Sequence, residues 1–353
     1  MKFKKFLPIV LSAALMLNFS ACNKKGQISG DEDAGKIVAT VGDENISAAE
    51  FKFYLNMYKK EVEREAGLTD KSDEEKKEYW NNGEGASKKQ EIIDETFKNV
   101  KQLKVLLANA KKDNISIGKT DLDLINQSIE QFIEYEGNGD KQEANKVMLR
   151  EYGVTIDQYL SFYSDFVLAY ITYAEEKAAS IEISDSEIQK EFENRKEEFE
   201  KVTVQHILLA TKDFDTGEAL PEDEVTKKKT LAEELLKRAQ AGEDFGEMAK
   251  QYTEDDGSKD NGGEYTFPRG QMVAEFEDWF FNAKEGDMGI VETTYGYHVM
   301  KFIKHIPAAL GDEERETISS ALREEKLTQM VENMVAEVQL VKNQDVIDSL
   351  ELF

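Results

Sequence analysis

Apolar residues recur at helical spacing through the first half of the chain and switch to strand spacing after residue 200. Lys36 to Ile46 (KIVATVGDENI) reads as a strand and turn, broken at Gly42-Asp43. Ser47 and Glu50 have the spacing of a capping box, and Phe51, Tyr54, Leu55 and Tyr58 follow on one helical face. Residues 67–90 are polar and read as a loop or frayed helix. A second helix is predicted near Glu91 to Lys112, on the stripe Ile93, Phe97, Val100, Leu103, Leu106 and Leu107. Helices follow over 120–136, 141–151 and 156–179. The last opens with a Thr155/Gln158 capping box, and its aromatics (YLSFYSDFVLAYITYAEE) suit a packing face better than a cofactor box. No proline stands between Pro8 and Pro221, which suits long helices.

Ser184 and Glu187 cap a charged helix ending near Glu200, with Ile188, Phe192 and Phe199 as its few apolar positions; 184–200 reads as a connector. The period then changes. Val202, Val204, His206, Leu208 and Ala210 alternate with Thr203, Gln205, Ile207 and Leu209, a well-buried strand. An amphipathic helix runs from about Glu222 to Ala241 and stops at Gly242; Phe245 to Tyr252 makes a short helix, and Asp256 to Gly263 a loop. Val273 to Ala283 is helical, Gly286 turns the chain into Gly289 to Thr293, and Tyr297 to Ile303 alternates as a closing strand. The tail offers a helix over 312–338 and a short apolar stretch, Val338 to Val341.

Length and charge narrow the function classes. A chain of 353 residues suggests two or three domains. Formal net charge is -27; the first 21 residues carry Lys2, Lys4 and Lys5 and no acid, so the remainder sits at -30. No broad basic surface is left to neutralise phosphates, which argues against nucleic acid and against adsorption to anionic lipid. The one cysteine, Cys22, permits no internal disulfide and no zinc spacing, and the acidic clusters lack an EF-hand loop, so no metal or cofactor is expected. A function needing histidine has three candidates: His206, His298 and His305.

The N-terminus reads as an address. A basic stretch precedes a mostly apolar run, Phe6 to Phe19, shorter than the ~20 residues of a spanning helix. Ser20-Ala21 and then Cys22 resemble the lipobox of bacterial lipoproteins, with Phe19 standing where Leu is usual. That resemblance implies diacylation of Cys22 and anchoring at the extracytoplasmic face of the cell membrane; two acyl chains hold stably where one is marginal. Residues 22–35 are polar and glycine-containing, a flexible tether.

The later segment carries a specific resemblance. The runs VQHILLA, AGEDFGEMAKQYTED, NGGEYTFPRGQM, EFEDWFF and GIVETTYGYHVMKF, in that order, resemble parvulin-type peptidyl-prolyl isomerases over about a hundred of the 353 residues. The signal, the VATVGDENIS opening and the helical tail are similar to PrsA-like and SurA-like extracytoplasmic foldases. The resemblance implies an α+β chain. A parvulin domain with a four-stranded antiparallel sheet (201–305) is inserted in a mostly helical chaperone domain formed by 36–183 and 306–353. It implies His206 and His298 as paired histidines on adjacent strands, with Thr293 bonded to the pair. Asp255 takes a position held by Cys or Asp in the family, so no thiolate nucleophile is involved. By the same resemblance Met272 and Phe276 would form the floor of the proline pocket; Tyr265 takes a place usually held by Leu, and Tyr295 replaces a smaller residue nearby. A scaffold role for the two histidines, holding the sheet and orienting neighbours, stands level with a chemical one.

The expected function is therefore an exported foldase that isomerises Xaa–Pro bonds in unfolded or newly exported client proteins and also acts as a chaperone. The loop after the first strand, TKDFDTGEALPEDE, has only Lys212 positive, so no phosphate preference is expected. Two alternatives stand beside this. One keeps the fold but only binds, motivated by Tyr265 and a shortened Gly262–Phe267 region. The other is an envelope scaffold or solute-binding lipoprotein. Client identity stays open, and a monomer and a homodimer are both compatible with the sequence.

Overall fold

The computed structural model describes residues 33–353. The predicted signal segment, Cys22 and the tether up to residue 32 lie outside the described residues. The last three tether residues form a turn, whose Ala34 carbonyl accepts the Ala49 N–H at 3.1 Å. The chain divides into two compact units, one running up to Glu182 and resuming at Leu322–Phe353, the other Ile183–Ala321.

In the first unit, β1 (Ile37–Val41) and β2 (Glu44–Ser47) form a hairpin whose turn holds Gly42 at φ +55°. Strand β7 (Leu340–Lys342) pairs antiparallel with the other edge of β1, giving the order β2-β1-β7. Ser47 caps α1 (Ala48–Glu65) by accepting the Glu50 N–H at 3.2 Å. The expected reciprocal half of that box is missing: Glu50 turns into the core and pairs with Lys104 Nζ at 2.8 Å. The segment read as loop is structured. A Ser72/Glu75 capping box starts α2 (Asp73–Asn81), and α3 already begins at Gly83 and runs to Lys112. The buried Trp80 anchors α2, its Nε1–H donating to Glu63 at 2.8 Å; that contact is between helices and leaves no trace in local spacing. Helix α3 buries Phe97, Val100, Leu103, Leu106 and Leu107 of the predicted stripe; Ile93 is part-buried and its neighbour Ile92 is buried.

Helices α4 (Lys119–Gly137) and α5 (Lys141–Tyr152) follow. The predicted 156–179 helix is broken into α6 (Ile156–Phe166), a π-helical stretch Val167–Tyr173 and α7 (Ala174–Ser180). Along this stretch Ala169 and Tyr173 are buried in the main core of the unit, and Val167 packs with Ile125 and Phe166 in a smaller cluster.

In the second unit, the Ser184/Glu187 box caps α8 (Asp185–Asn194), which stops short of Glu200 and passes into a 3₁₀ turn over Lys196–Phe199. Strand β3 (Lys201–Ala210) leads to α9 (Glu222–Gln240) and α10 (Phe245–Tyr252). Then come β4 (Glu264–Pro268), α11 (Ala274–Asn282), β5 (Met288–Thr293) and β6 (Gly296–Ile306). The antiparallel order is β4-β3-β6-β5. Periodicity alone shows three of these strands. The fourth, β4, is a short edge behind Gly262 and Gly263, too brief to alternate visibly.

Strand alternation divides the core into two layers. Ile207, Leu209 and Val299 pack on Leu235, Ala239, Phe245 and Met248 of α9 and α10. Val202, Val204, Met300 and Phe302 face Phe276 and Phe280 of α11. His206 and His298 continue the second layer. His305, expected beyond the closing strand, lies within β6 and its Nε2–H reaches the Ala283 carbonyl at 3.3 Å, a structural tie. Helix α12 (Asp312–Glu337) contributes its residues from Leu322 onward to the first unit, followed by β7 and α13 (Gln344–Ser349).

Candidate active site

The two central strands of the second unit set the histidines beside each other. In the β3–β6 register His206 lies opposite Met300 and Leu208 opposite His298, so the histidines are diagonal neighbours on one face. Their rings lie 5.4 Å apart at 17°, with Nδ1 atoms 3.2 Å apart. Both side chains are buried.

Each outer nitrogen has its own partner. His206 Nε2 meets Asp255 Oδ2 at 2.9 Å and Ser258 Oγ at 3.1 Å. His298 Nε2 meets Thr293 Oγ1 at 2.9 Å, and Thr293 Oγ1 accepts the Tyr295 N–H at 3.1 Å. Asp255 also accepts from the hydroxyls of Ser258 and, at 3.0 Å, Tyr265, and from the Gly257 N–H at 3.2 Å. These donors, His206 foremost, hold the Asp255 carboxyl well below the usual carboxylate range. Burial, with His206 alongside, pushes His298 down to about 3.

The proton order follows from these partners. An ionised carboxylate only accepts, so His206 Nε2 carries a proton. The buried Thr293 hydroxyl finds its acceptor in His298 Nε2. A neutral His298 then holds its proton on Nδ1 and donates it to His206 Nδ1. The bonds run one way: Tyr295 N–H, Thr293, His298, His206, Asp255.

Aromatic rings border this relay. Phe276 stands edge-on to His206 at 5.3 Å and to His298 at 5.1 Å, with Phe280 at 4.9 Å behind it. Met272 and Tyr265 are part-buried against the same cluster. Thus His206, Asp255, His298, Tyr265, Thr293 and Phe276 converge, and Met272 borders them. Tyr295 joins through its backbone; its side chain is exposed, beneath Lys212 Nζ at 4.1 Å. Cys22 lies outside the described residues.

Sequence reasoning passed over Ser258, which is 1% exposed and bonds both Asp255 and His206. Its one signal was an Asp-x-x-Ser spacing in a loop that otherwise looks like solvated acid. The neighbouring Thr253 and Glu254 were also missed: their side chains accept the Leu208 and Ala210 N–H groups, at 3.0 and 2.7 Å, and bind the loop to β3. Among the described residues no cluster of metal-ligating side chains occurs, and no helix is long and apolar enough to cross a membrane.

Comparison with known proteins matches residues 187–305 to the PPIC-type PPIASE domain and residues 2–169 to the SurA-like N-terminal domain. The foldase protein PrsA of Caldanaerobacter subterraneus subsp. tengcongensis is 30% identical over 343 residues, covering 96% of this chain and 93% of that protein. Foldase protein PrsA 4 of Bacillus cereus is 31% identical over 178 residues, 50% of this chain and 55% of that one. A crystal structure of peptidylprolyl isomerase (PrsA) from Bacillus cereus is 22% identical, covers 91% of this chain and 94% of that chain, and has a TM-score of 0.31.

Proposed function

The chain belongs to the PrsA foldase family and is a peptidyl-prolyl cis-trans isomerase, and we propose that it turns Xaa–Pro bonds of exported clients at the centre formed by His206, Asp255 and His298, held outside the membrane by a lipid on Cys22. The observation that carries the site is the contact of both relay histidines with Phe276. It puts polar and apolar requirements of the reaction in one place.

Isomerisation breaks no covalent bond. The obstacle is the partial double bond of the amide, a barrier of ~20 kcal/mol that leaves the free reaction at tens to hundreds of seconds. A catalyst needs an apolar slot for the proline ring and fixed dipoles that favour the twisted amide. Met272 and Phe276 supply the slot. The relay supplies the dipoles: its proton order is fixed before substrate arrives, so little reorganisation accompanies the twist. Asp255 acts as the negative end that fixes that order, and no step transfers a proton to substrate.

The absence of a phosphate preference rests on the 211–224 loop, where Lys212 is the one cation and its ammonium lies over the Tyr295 ring. Phosphate recognition needs several converging donors. The chaperone half belongs to the first unit. Two open grooves there, of 470 and 540 Å³, meet at Phe97 and Lys342 and offer mixed apolar and polar lining to an unfolded segment.

The test is an isomerisation assay with the whole chain on a plain Xaa–Pro peptide and its phosphoserine-proline counterpart. Acceleration of both, with no gain from phosphate and with KM raised by Met272→Ala, supports the reading. Much faster turnover of the phosphopeptide overturns the specificity claim. Loss of membrane association on Cys22→Ser tests the anchor. Suppression of client aggregation by a variant lacking residues 200–305 tests the chaperone half.

A further inference from the structure

Asp255 has a donor that the paired histidines do not explain. Tyr265 sits on the edge strand β4, opposite Val204 in register, which brings its ring beside His206 at 5.4 Å. Its hydroxyl donates to Asp255 Oδ2 at 3.0 Å. The same oxygen accepts from His206 at 2.9 Å and from Ser258, while Oδ1 takes the Gly257 N–H at 3.2 Å. The carboxylate is therefore held from four directions, and Tyr265 is the donor on the strand side.

Gly257 makes this approach geometrically available. A Cβ built there would stand 2.6 Å from the Tyr265 hydroxyl oxygen and 3.3 Å from Asp255 Oδ1. The backbone of Gly257 is outside the left-handed region, so alanine meets no conformational penalty. The phenol oxygen is what excludes a side chain at 257.

We infer that Tyr265 is a positioning residue that acts through Asp255, and that Gly257 is kept bare to admit its hydroxyl. The ring borders the proline pocket while the hydroxyl pins the carboxylate, and the two roles separate by substitution. A phenol bonded to an ionised carboxylate is one of the stronger side-chain hydrogen bonds; burial first and this bond second push the Tyr265 hydroxyl up, and on Asp255 the bond adds to the larger effects of His206 and Ser258. With it, Asp255 stays an acceptor aimed at His206 Nε2, and the relay keeps its direction. Without it, His206, Ser258 and the Gly257 N–H still hold the part-exposed carboxylate, but its strand side is open to water and its aim at His206 Nε2 is less tightly set. This inference rests on the reading of Asp255 as part of the working centre.

The experiment measures kcat and KM for an Xaa–Pro peptide with the whole chain and with Tyr265→Phe, Gly257→Ala, Asp255→Ala and the doubles. Tyr265→Phe and Gly257→Ala are each expected to lower kcat about tenfold, with KM within about twofold. Their double should be no worse than either single, and Tyr265→Phe should change nothing further in the Asp255→Ala background. Tyr265→Phe keeps the ring and Gly257→Ala adds one methyl in a loop, so both are expected to fold, as a melting curve will show. A wild-type kcat for Tyr265→Phe, a loss seen only in KM, or additive losses for the two singles overturns the inference. If Asp255→Ala is impaired while Tyr265→Phe is not, only the inference falls; if Asp255→Ala itself works at the wild-type rate, the reading of the centre falls with it.

Discussion

The Nδ1 atoms of His206 and His298 face each other at 3.2 Å across two neighbouring strands. One must bring a proton and the other a lone pair. Thr293 at one end and ionised Asp255 at the other decide which: His298 donates and His206 accepts. Nitrogen-15 spectra of the imidazoles should therefore show His298 in its Nδ1–H tautomer and His206 in its Nε2–H tautomer at pH 7. The chain has three histidines, with His305 as an internal reference. The opposite tautomers would reverse the relay.

The same pair makes stability depend on acid. His298 is pushed down to about 3 in the fold, against about 6.5 when unfolded. Between those values the unfolded chain binds more protons, so stability is complete above about 6.5 and is lost as pH falls, by up to about 1.4 kcal/mol per pH unit. Asp255, also shifted downward, adds a further loss on the acid side of about pH 4. Urea midpoints at pH 7.5 and 5 should differ in that sense, and His298→Asn should flatten the difference.

Phe276 and Met272 should part company when truncated. Phe276 is buried against Phe267, Phe280 and both relay histidines, so Phe276→Ala should cost about 3–5 kcal/mol in denaturant unfolding. Met272 is part-buried at the rim of that cluster, and Met272→Ala should cost ~1 kcal/mol while raising KM. Equal stability losses would place Met272 in the core beside Phe276, not at the rim.

Glu50 and Lys104 form a buried pair at 2.8 Å in the first unit. Burial pushes the Glu50 carboxyl up, and Lys104 partly offsets this. Lys104→Met leaves an unpaired buried acid and should destabilise by about 3–5 kcal/mol; adding Glu50→Leu should recover much of the loss. Urea unfolding of both variants checks this.

The sequence showed what is periodic. Alternation over 202–210 and 297–303 exposed the two strands that carry the histidines; their pairing came from the resemblance, and their common face from the β3–β6 register. The α3 stripe was equally plain. What escaped depends on contacts distant in the chain. Glu50 fits a capping box by spacing, yet a lysine 54 positions later draws it inward. Residues 73–90 look solvated until Trp80 meets Glu63. Ser258 sits in an acidic run and becomes part of the relay only because β3 delivers His206 to it. Edge strand β4 shows no period of its own; it is held by register with β3 and by the turn at Gly263, whose N–H bonds the Ser258 carbonyl at 2.8 Å.

The most direct test is the cis–trans exchange rate of a short Xaa–Pro peptide at pH 7 with the whole chain and with its Asp255→Ala variant, melting curves recorded for both. The wild type should exchange the peptide well above the buffer rate, and Asp255→Ala should fall ~10- to 100-fold below it while still unfolding cooperatively. Equal rates for the two proteins would contradict the account.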